Sequence, residues 1–323
     1  MEANVLITTI GRKVPLAKAF KEALSGDYGI KGRVVTVDAG TLAAGLYESD
    51  AWYQVPRVND PAYVPSLLDI CRKEEIRMVV PLFEAEFPIL DENRDSFKQV
   101  GAQLILSPRF VLSVCQDKLA TYSFFEKNNI PTPKSYLPEY FPIEETVFPV
   151  FMKPRCGMGS INAYKINNPE EFRFFSNYIP NLLVQEFIEG TEYTLDILAD
   201  LQGKVVSVVP RVRIETRAGE VSKSKTVYDE TMIKWGVIIT EKLGAVGPVT
   251  MQCIVTPDQD IKFIEINPRF GGGFALTFAA GGNYPLLLAR MVAGEPLGFE
   301  GLLSFKPNLT MLRYDEALFF EDL

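Results

Sequence analysis

An α/β N-terminal part followed by an α+β remainder is the fold class this sequence predicts, and two textures predict it. Through the first hundred residues, short β-rich runs alternate with amphipathic helical stretches, the pattern of a parallel sheet covered by helices. After Ser107 the strand-like runs instead follow one another and lengthen, as in antiparallel sheets. With 323 residues and 47% hydrophobic content, the chain has core enough for two domains, or for one with subdivisions.

In chain order, Asn4 to Thr9 (NVLITT) reads as a buried strand, and Val14 to Leu24 as a helix with Leu16, Phe20, Ala23 and Leu24 on one face. Gly32 to Asp38, Arg77 to Leu82 and Gln103 to Leu106 read as further strands, with a helix at Tyr63 to Lys73. This is a Rossmann-like wrapping. The turn Ile10-Gly11-Arg12-Lys13 lacks the GxGxxG fingerprint, having a single glycine, and an isolated acid such as Asp38 at a strand end suits a cap or turn. A nicotinamide-dependent oxidoreductase is therefore disfavoured.

A boundary falls near residue 107. Pro108 to Cys115 and Lys118 to Asn128 read as helices, and Ile130-Pro131-Thr132-Pro133 must be extended because proline restricts its predecessor. Strands follow at Phe148 to Lys153, Asn162 to Ile166 and Leu182 to Phe187, with a helix from Glu170 to Tyr178. Beyond these come strands at Glu192 to Ala199 and Lys204 to Ile214, a helix at Glu230 to Leu243, a hairpin from Pro248 to Asn267, and a helix at Tyr284 to Ala293. The expected divisions are residues 1–107, 108–190 and 191–323.

Composition narrows the chemistry. A formal net charge of -8 disfavours nucleic acid and anionic membranes as partners, and no segment reads as a leader or a membrane span, so a cytoplasmic protein is expected. Cys71, Cys115, Cys156 and Cys253 are widely spaced and read as reduced thiols. With no histidine, the chain cannot build a Ser-His-Asp or Cys-His nucleophile or a histidine-ligated zinc site. Any metal must be held mainly by oxygen, which points to magnesium or manganese.

The hairpin turn Pro257-Asp258-Gln259-Asp260 sets a register. If Asp258 and Gln259 form the loop, Gln252 lies opposite Glu265 and Thr250 opposite Asn267. Glu265, Asn267 and Gln252 then share a face, while Ile264, Ile266, Met251 and Cys253 point to a core. Three oxygen-bearing side chains on one face suit magnesium that draws other ligands from phosphates; they equally suit a solvated polar sheet face. Upstream, FMKPRCGMGS delivers Lys153 and a loop with Arg155, Gly157, Gly159 and Ser160, suited to a phosphate or to a ligand-free hairpin. In LLVQEFIEGTEYTLD, the backbone of Glu186 to Ile188 suits an adenine edge and Glu192 ribose hydroxyls; an ordinary bend between strands fits as well.

Taken in order, Lys118 in QDKLATYSFF, Lys153 in FMKPRCGMGS, Glu186 and Glu192 in QEFIEGTEYTLDI, Gln252 in VTMQCIV, and Glu265, Asn267 and Arg269 in IEINPRF resemble the ATP-grasp superfamily. The texture is similar to stand-alone relatives of the carbamoyl-phosphate synthase large subunit, with the pyrrolysine-pathway ligase more distant. The resemblance spans nearly the whole chain. It implies a Rossmann-like pre-ATP-grasp domain followed by an ATP-grasp fold of two α+β subdomains. It further implies Lys118 and Lys153 on the nucleotide phosphates, Glu186, Phe187 and Ile188 at the adenine, and Glu192 at the ribose. Gln252, Glu265 and Asn267 would be the magnesium ligands, and Arg269 would steady the transferred phosphoryl group. The chain departs from the full synthase in having one ATP-grasp unit, lysines where the synthase has arginines at the phosphates, and Gly271-Gly272-Gly273 after the NPR motif.

The implied activity is an ATP- and Mg-dependent ligase with a small carboxylate substrate, in which Lys153 and Arg269 serve catalysis and an acyl phosphate is captured by an amine. The alternative is a regulatory nucleotide-binding subunit of a split synthase. A homodimer is left open. The segment Pro210 to Thr226, with Arg211, Arg213, Arg217, Lys223 and Lys225, suits contact with an acidic substrate or the phosphates, or an exposed charged hairpin.

Overall fold

The computed structural model describes residues 2–157, 159, 161–217, 219–297 and 304–321, so Ser160 of the glycine loop lies outside the described residues. The N-terminal sheet holds β1 (Asn4–Thr8), β2 (Val34–Asp38), β3 (Ala51–Gln54), β4 (Ile76–Pro81) and β5 (Gln103–Leu104). All five run parallel, in the order β3-β2-β1-β4-β5. Helices α1 (Val14–Ala23), α2 (Tyr63–Lys73), α3 (Phe87–Glu92) and α4 (Arg94–Gln99) cover it. Along β1, Val5 and Ile7 enter the core that includes Leu16 and Phe20 of α1, while Leu6 enters the core with Leu67 of α2. A strand buried on both faces reads as a continuous apolar run, which is why NVLITT shows no alternation.

Two helices lead out of this sheet, α5 (Arg109–Gln116) and α6 (Lys118–Lys127). Asp117 caps α6, its carboxylate accepting from Leu119 N at 2.9 Å. A four-stranded antiparallel sheet follows, ordered β6-β9-β7-β8 from β6 (Ser135–Tyr136), β7 (Val150–Pro154), β8 (Tyr164–Ile166) and β9 (Leu182–Glu186). Its core residues Val150, Met152 and Val184 pack on Phe172 of α7 (Pro169–Tyr178).

The third sheet is antiparallel, built from β10 (Thr191–Ala199), β11 (Val205–Arg217), β12 (Glu220–Thr226), β13 (Gly247–Val255), β14 (Ile261–Asn267) and β15 (Thr310–Leu312). Its order is β14-β13-β10-β11-β12-β15. Helix α8 (Glu230–Leu243) covers its apolar face with Met232, Ile233 and Leu243, capped by Asp229 and ended by Gly244 in the left-handed conformation at φ 74°. Helices α9 (Phe274–Ala279) and α10 (Tyr284–Ala293) return to the N-terminal sheet, where Phe274 and Leu288 join the core of β1 and α1. The last part of the chain thus completes the core of the first.

Candidate functional site

A cavity of about 750 Å³ is lined by the turns after β1 and β4, by β7 and the end of β9, and by the polar face of the third sheet. The turns after β1 and β4 lie at the carboxyl ends of parallel strands, the place where open α/β sheets present ligands. Lys118, Lys153, Glu186, Phe187, Ile188, Glu192, Gln252, Glu265, Asn267 and Arg269 all line this cavity.

Strands β13 and β14 pair Gln252 with Glu265 and Thr250 with Asn267, the register expected from the turn. Nearer the turn the register shifts, and Cys253 pairs with Phe263. This bulge leaves Ile264 as the extra residue and corrects its expected place: it is half-buried and lines the cavity, while Phe263 fills the core beside Met251 and Ile266.

The Gln252 amide lies 3.0 Å from Glu265 Oε2 and 3.3 Å from Glu192 Oε1. With its nitrogen turned inward the amide bridges the two carboxylates; with its oxygen inward, three hard oxygens converge, and a cation among them would relieve their repulsion. Burial, then Glu265, raise the pKa of Glu192, against the pull of the Arg213 guanidinium. Among the described residues no three His, Cys, Asp or Glu side chains form a metal-holding group. The donor set is carboxylates with amide oxygens, which fits magnesium or manganese sharing its shell with phosphates and does not fit a soft metal.

Lys153 is buried on β7, where its Nζ donates to Gln185 Oε1 at 2.9 Å. Burial pushes its pKa down to about 8, the Glu265 carboxylate partly restoring it and Lys118 lowering it further. Lys118 donates to the Gly157 carbonyl at 2.9 Å, tying the start of α6 to the glycine loop. Glu186 does not leave its whole backbone open: its N–H donates to the Lys134 carbonyl at 2.8 Å. Arg269 is engaged by Glu84, Nε donating to Oε1 at 2.8 Å.

The basic segment divides. Arg211 is 1% exposed and paired with Asp196, Nε to Oδ2 at 2.8 Å, which corrects the reading of it as part of an exposed hairpin. Arg213 also lines the cavity, its Nε 3.1 Å from Glu192 Oε1 but out of hydrogen-bond alignment. Lys223 lies exposed and paired with Glu215 at 2.7 Å. The three glycines after the NPR motif also make room for the chain itself. A Cβ on Gly273 would lie 2.5 Å from Arg211 Cζ, and one on Gly271 2.7 Å from Thr250 Oγ1.

Residues 5–105 match the family described as PylC-like, N-terminal domain, and residues 115–273 the family described as ATP-grasp domain. The chain belongs to the ATP-grasp superfamily. This ATP-grasp chain is 24% identical over 279 residues to the carbamoyl-phosphate synthase of Methanobrevibacter smithii, covering 81% of the chain and 74% of the relative. It is 24% identical over 169 residues to the D-alanine–D-alanine ligase of Petrotoga mobilis, covering 47% of the chain and 56% of that ligase. The chain thus spans just over half the length of the latter relative. In fold it resembles the L-amino acid ligase from Bacillus licheniformis, with TM-score 0.68, 18% identity, and 95% and 78% of the two chains covered.

Residues missed from sequence are Glu220, Arg12 and Lys13, which line the cavity, and Glu84, which holds the cavity-lining Arg269. A signal existed for three of them, since Arg12, Lys13 and Glu84 follow the first and third strands read from the sequence, at their carboxyl ends.

Proposed function

We propose that this chain is an ATP- and magnesium-dependent ligase that activates a substrate carboxylate as an acyl phosphate and transfers the acyl group to an amine, releasing ADP and phosphate. The observation that carries this reading is the meeting, in one cavity, of a buried lysine, an oxygen donor set and an arginine. Lys118 and Lys153 face the phosphates, Glu186, Phe187 and Ile188 the adenine, and Glu192 the ribose. Gln252, Glu265 and Asn267 would hold magnesium, which when bound would neutralise polyphosphate charge. A carboxylate oxygen of the substrate attacks the terminal phosphorus, and the bond to the bridging oxygen breaks with ADP as leaving group. The amine nitrogen then attacks the acyl carbon, phosphate departs with the bonding pair, and the nitrogen loses a proton. Arg269, released from Glu84, steadies the phosphoryl oxygens. In this reading residues 108–190 cover the nucleotide, and 191–323 carry the metal set.

The test is calorimetric titration with Mg-ATP, followed by ADP release in the presence of carboxylates and amines. Absence of Mg-ATP binding sinks the reading; binding without turnover favours a regulatory nucleotide-binding subunit. A pH profile tests Lys153 separately. Its amine is charged below about pH 8, and a polyphosphate favours that charged form. Affinity is therefore expected to hold level below pH 8 and to fall by up to about tenfold per unit above it, because binding must then take up a proton. A profile flat from pH 7 to 9.5 removes Lys153 from the phosphate contacts.

A further inference from the structure

A second group of charges meets the same cavity, drawn from chain segments that the ligase reading leaves unused. Lys13 Nζ and Arg313 Nη1 both donate to the Glu220 carboxylate, the latter at 3.0 Å. Arg12 Nη2 stands 3.7 Å from the same group, beyond hydrogen-bond reach, and its side chain is 64% exposed. Three cations thus surround one acid in a chain whose net charge is -8, leaving a local positive excess beside the cavity. Burial pushes the Glu220 pKa up, but the three bases outweigh it and hold the carboxyl below its usual range. Arg211 also lines this cavity; its charge is balanced by Asp196 through Nε and Nη2, while its Nη1 is buried and without a partner.

The turn that presents Arg12 and Lys13 is built rather than loose. Gly11, at φ 48°, donates its N–H to Asp38 Oδ2 at 2.9 Å, and its carbonyl accepts from Gly45 N at 2.8 Å. The turn follows β1, whose neighbours β2 and β4 lie on either side, so it stands at the switch point of the parallel sheet. Here a rigid turn holds two cations at the cavity, and a third cation shares their single acid.

We propose that Arg12 and Lys13 recognise a carboxylate that the substrates carry in addition to the one being activated, and that Glu220 occupies this place until that carboxylate arrives. The proposal rests on the ligase reading and narrows its substrate class to amino acids or dicarboxylic acids.

For the test, wild-type, Arg12→Met, Lys13→Met and Glu220→Gln proteins are saturated with magnesium and a non-hydrolysable ATP analogue. Each is titrated calorimetrically with paired probes, glutarate against butyrate and L-alanine against ethylamine. In the wild type, the member carrying the additional carboxylate in at least one pair is expected to bind about 10- to 100-fold more tightly, the worth of a charge-assisted hydrogen bond. Arg12→Met and Lys13→Met should erase most of that preference. Glu220→Gln should instead strengthen binding of the anionic probe by about three- to tenfold, a change of sign that mere loss of structure would not produce. A preference for glutarate places the carboxylate on the activated substrate, and one for alanine places it on the amine. No preference in either pair overturns the proposal, as does a preference that survives both cation variants. Failure of the wild type to bind the nucleotide analogue overturns the ligase reading itself.

Discussion

Lys153→Met is expected to lower kcat/KM for ATP turnover by about a thousandfold with little loss of thermal stability. The lysine is buried and its pKa is pushed down to about 8, so the folded chain bears the cost of desolvating that ammonium. Methionine is similar in length and carries no charge, so it removes both this cost and the proposed contact to phosphate. Loss of one well-placed donor to a developing anion typically costs about 10²- to 10³-fold. Glu265→Gln is expected to act in the same range by weakening the proposed magnesium set while keeping the shape that pairs with Gln252. Steady-state ADP release with calorimetric melting is the check. If both variants keep more than a tenth of wild-type kcat/KM, the phosphate and metal assignments are wrong.

Asp196→Ala should cost about 3–5 kcal/mol of stability, the usual penalty for leaving a buried charge without its partner. Asp196 is 2% exposed and accepts from Arg211 Nε at 2.8 Å and Nη2 at 3.3 Å. Thr277 Oγ1 donates to the same carboxylate, and Tyr284 donates its hydroxyl to the Asp196 carbonyl at 2.7 Å. The pair therefore joins the third sheet to α9 and α10. The double replacement Asp196→Leu with Arg211→Met should recover most of the loss, because it removes both charges and refills the space. Melting of the three variants forms the comparison. A single Asp196→Ala variant within about 1 kcal/mol of wild type would show that water reaches Arg211 and that the site is not dry.

Much of the fold was legible because its signals are local. Tyr63–Lys73 and Glu230–Leu243 form helices over the spans their periodicity predicts. β3 was missed because it is four residues long and lies at a sheet edge, and α3 and α4 because six residues hold too few turns for a period to show. β12 was read only as part of a basic segment. Its polar Ser222, Ser224 and Thr226 are buried, a pattern that hydrophobicity alone does not reveal.

The site divides in the same way. Gln252 and Glu265 were paired from the hairpin alone, because a turn sets register for the strands it joins and alternation then sets the face. The bulge at Ile264 was not visible, since one extra residue shows only when both strands are aligned. The alternating layers, the hairpin register and the oxygen-rich chemistry available to a chain without histidine follow from local pattern and composition. Which charges neutralise one another depends instead on long-range packing. Arg269 meets Glu84 across 185 residues and Lys13 meets Glu220 across 207, pairings that chain packing sets and that leave no periodic trace in the sequence.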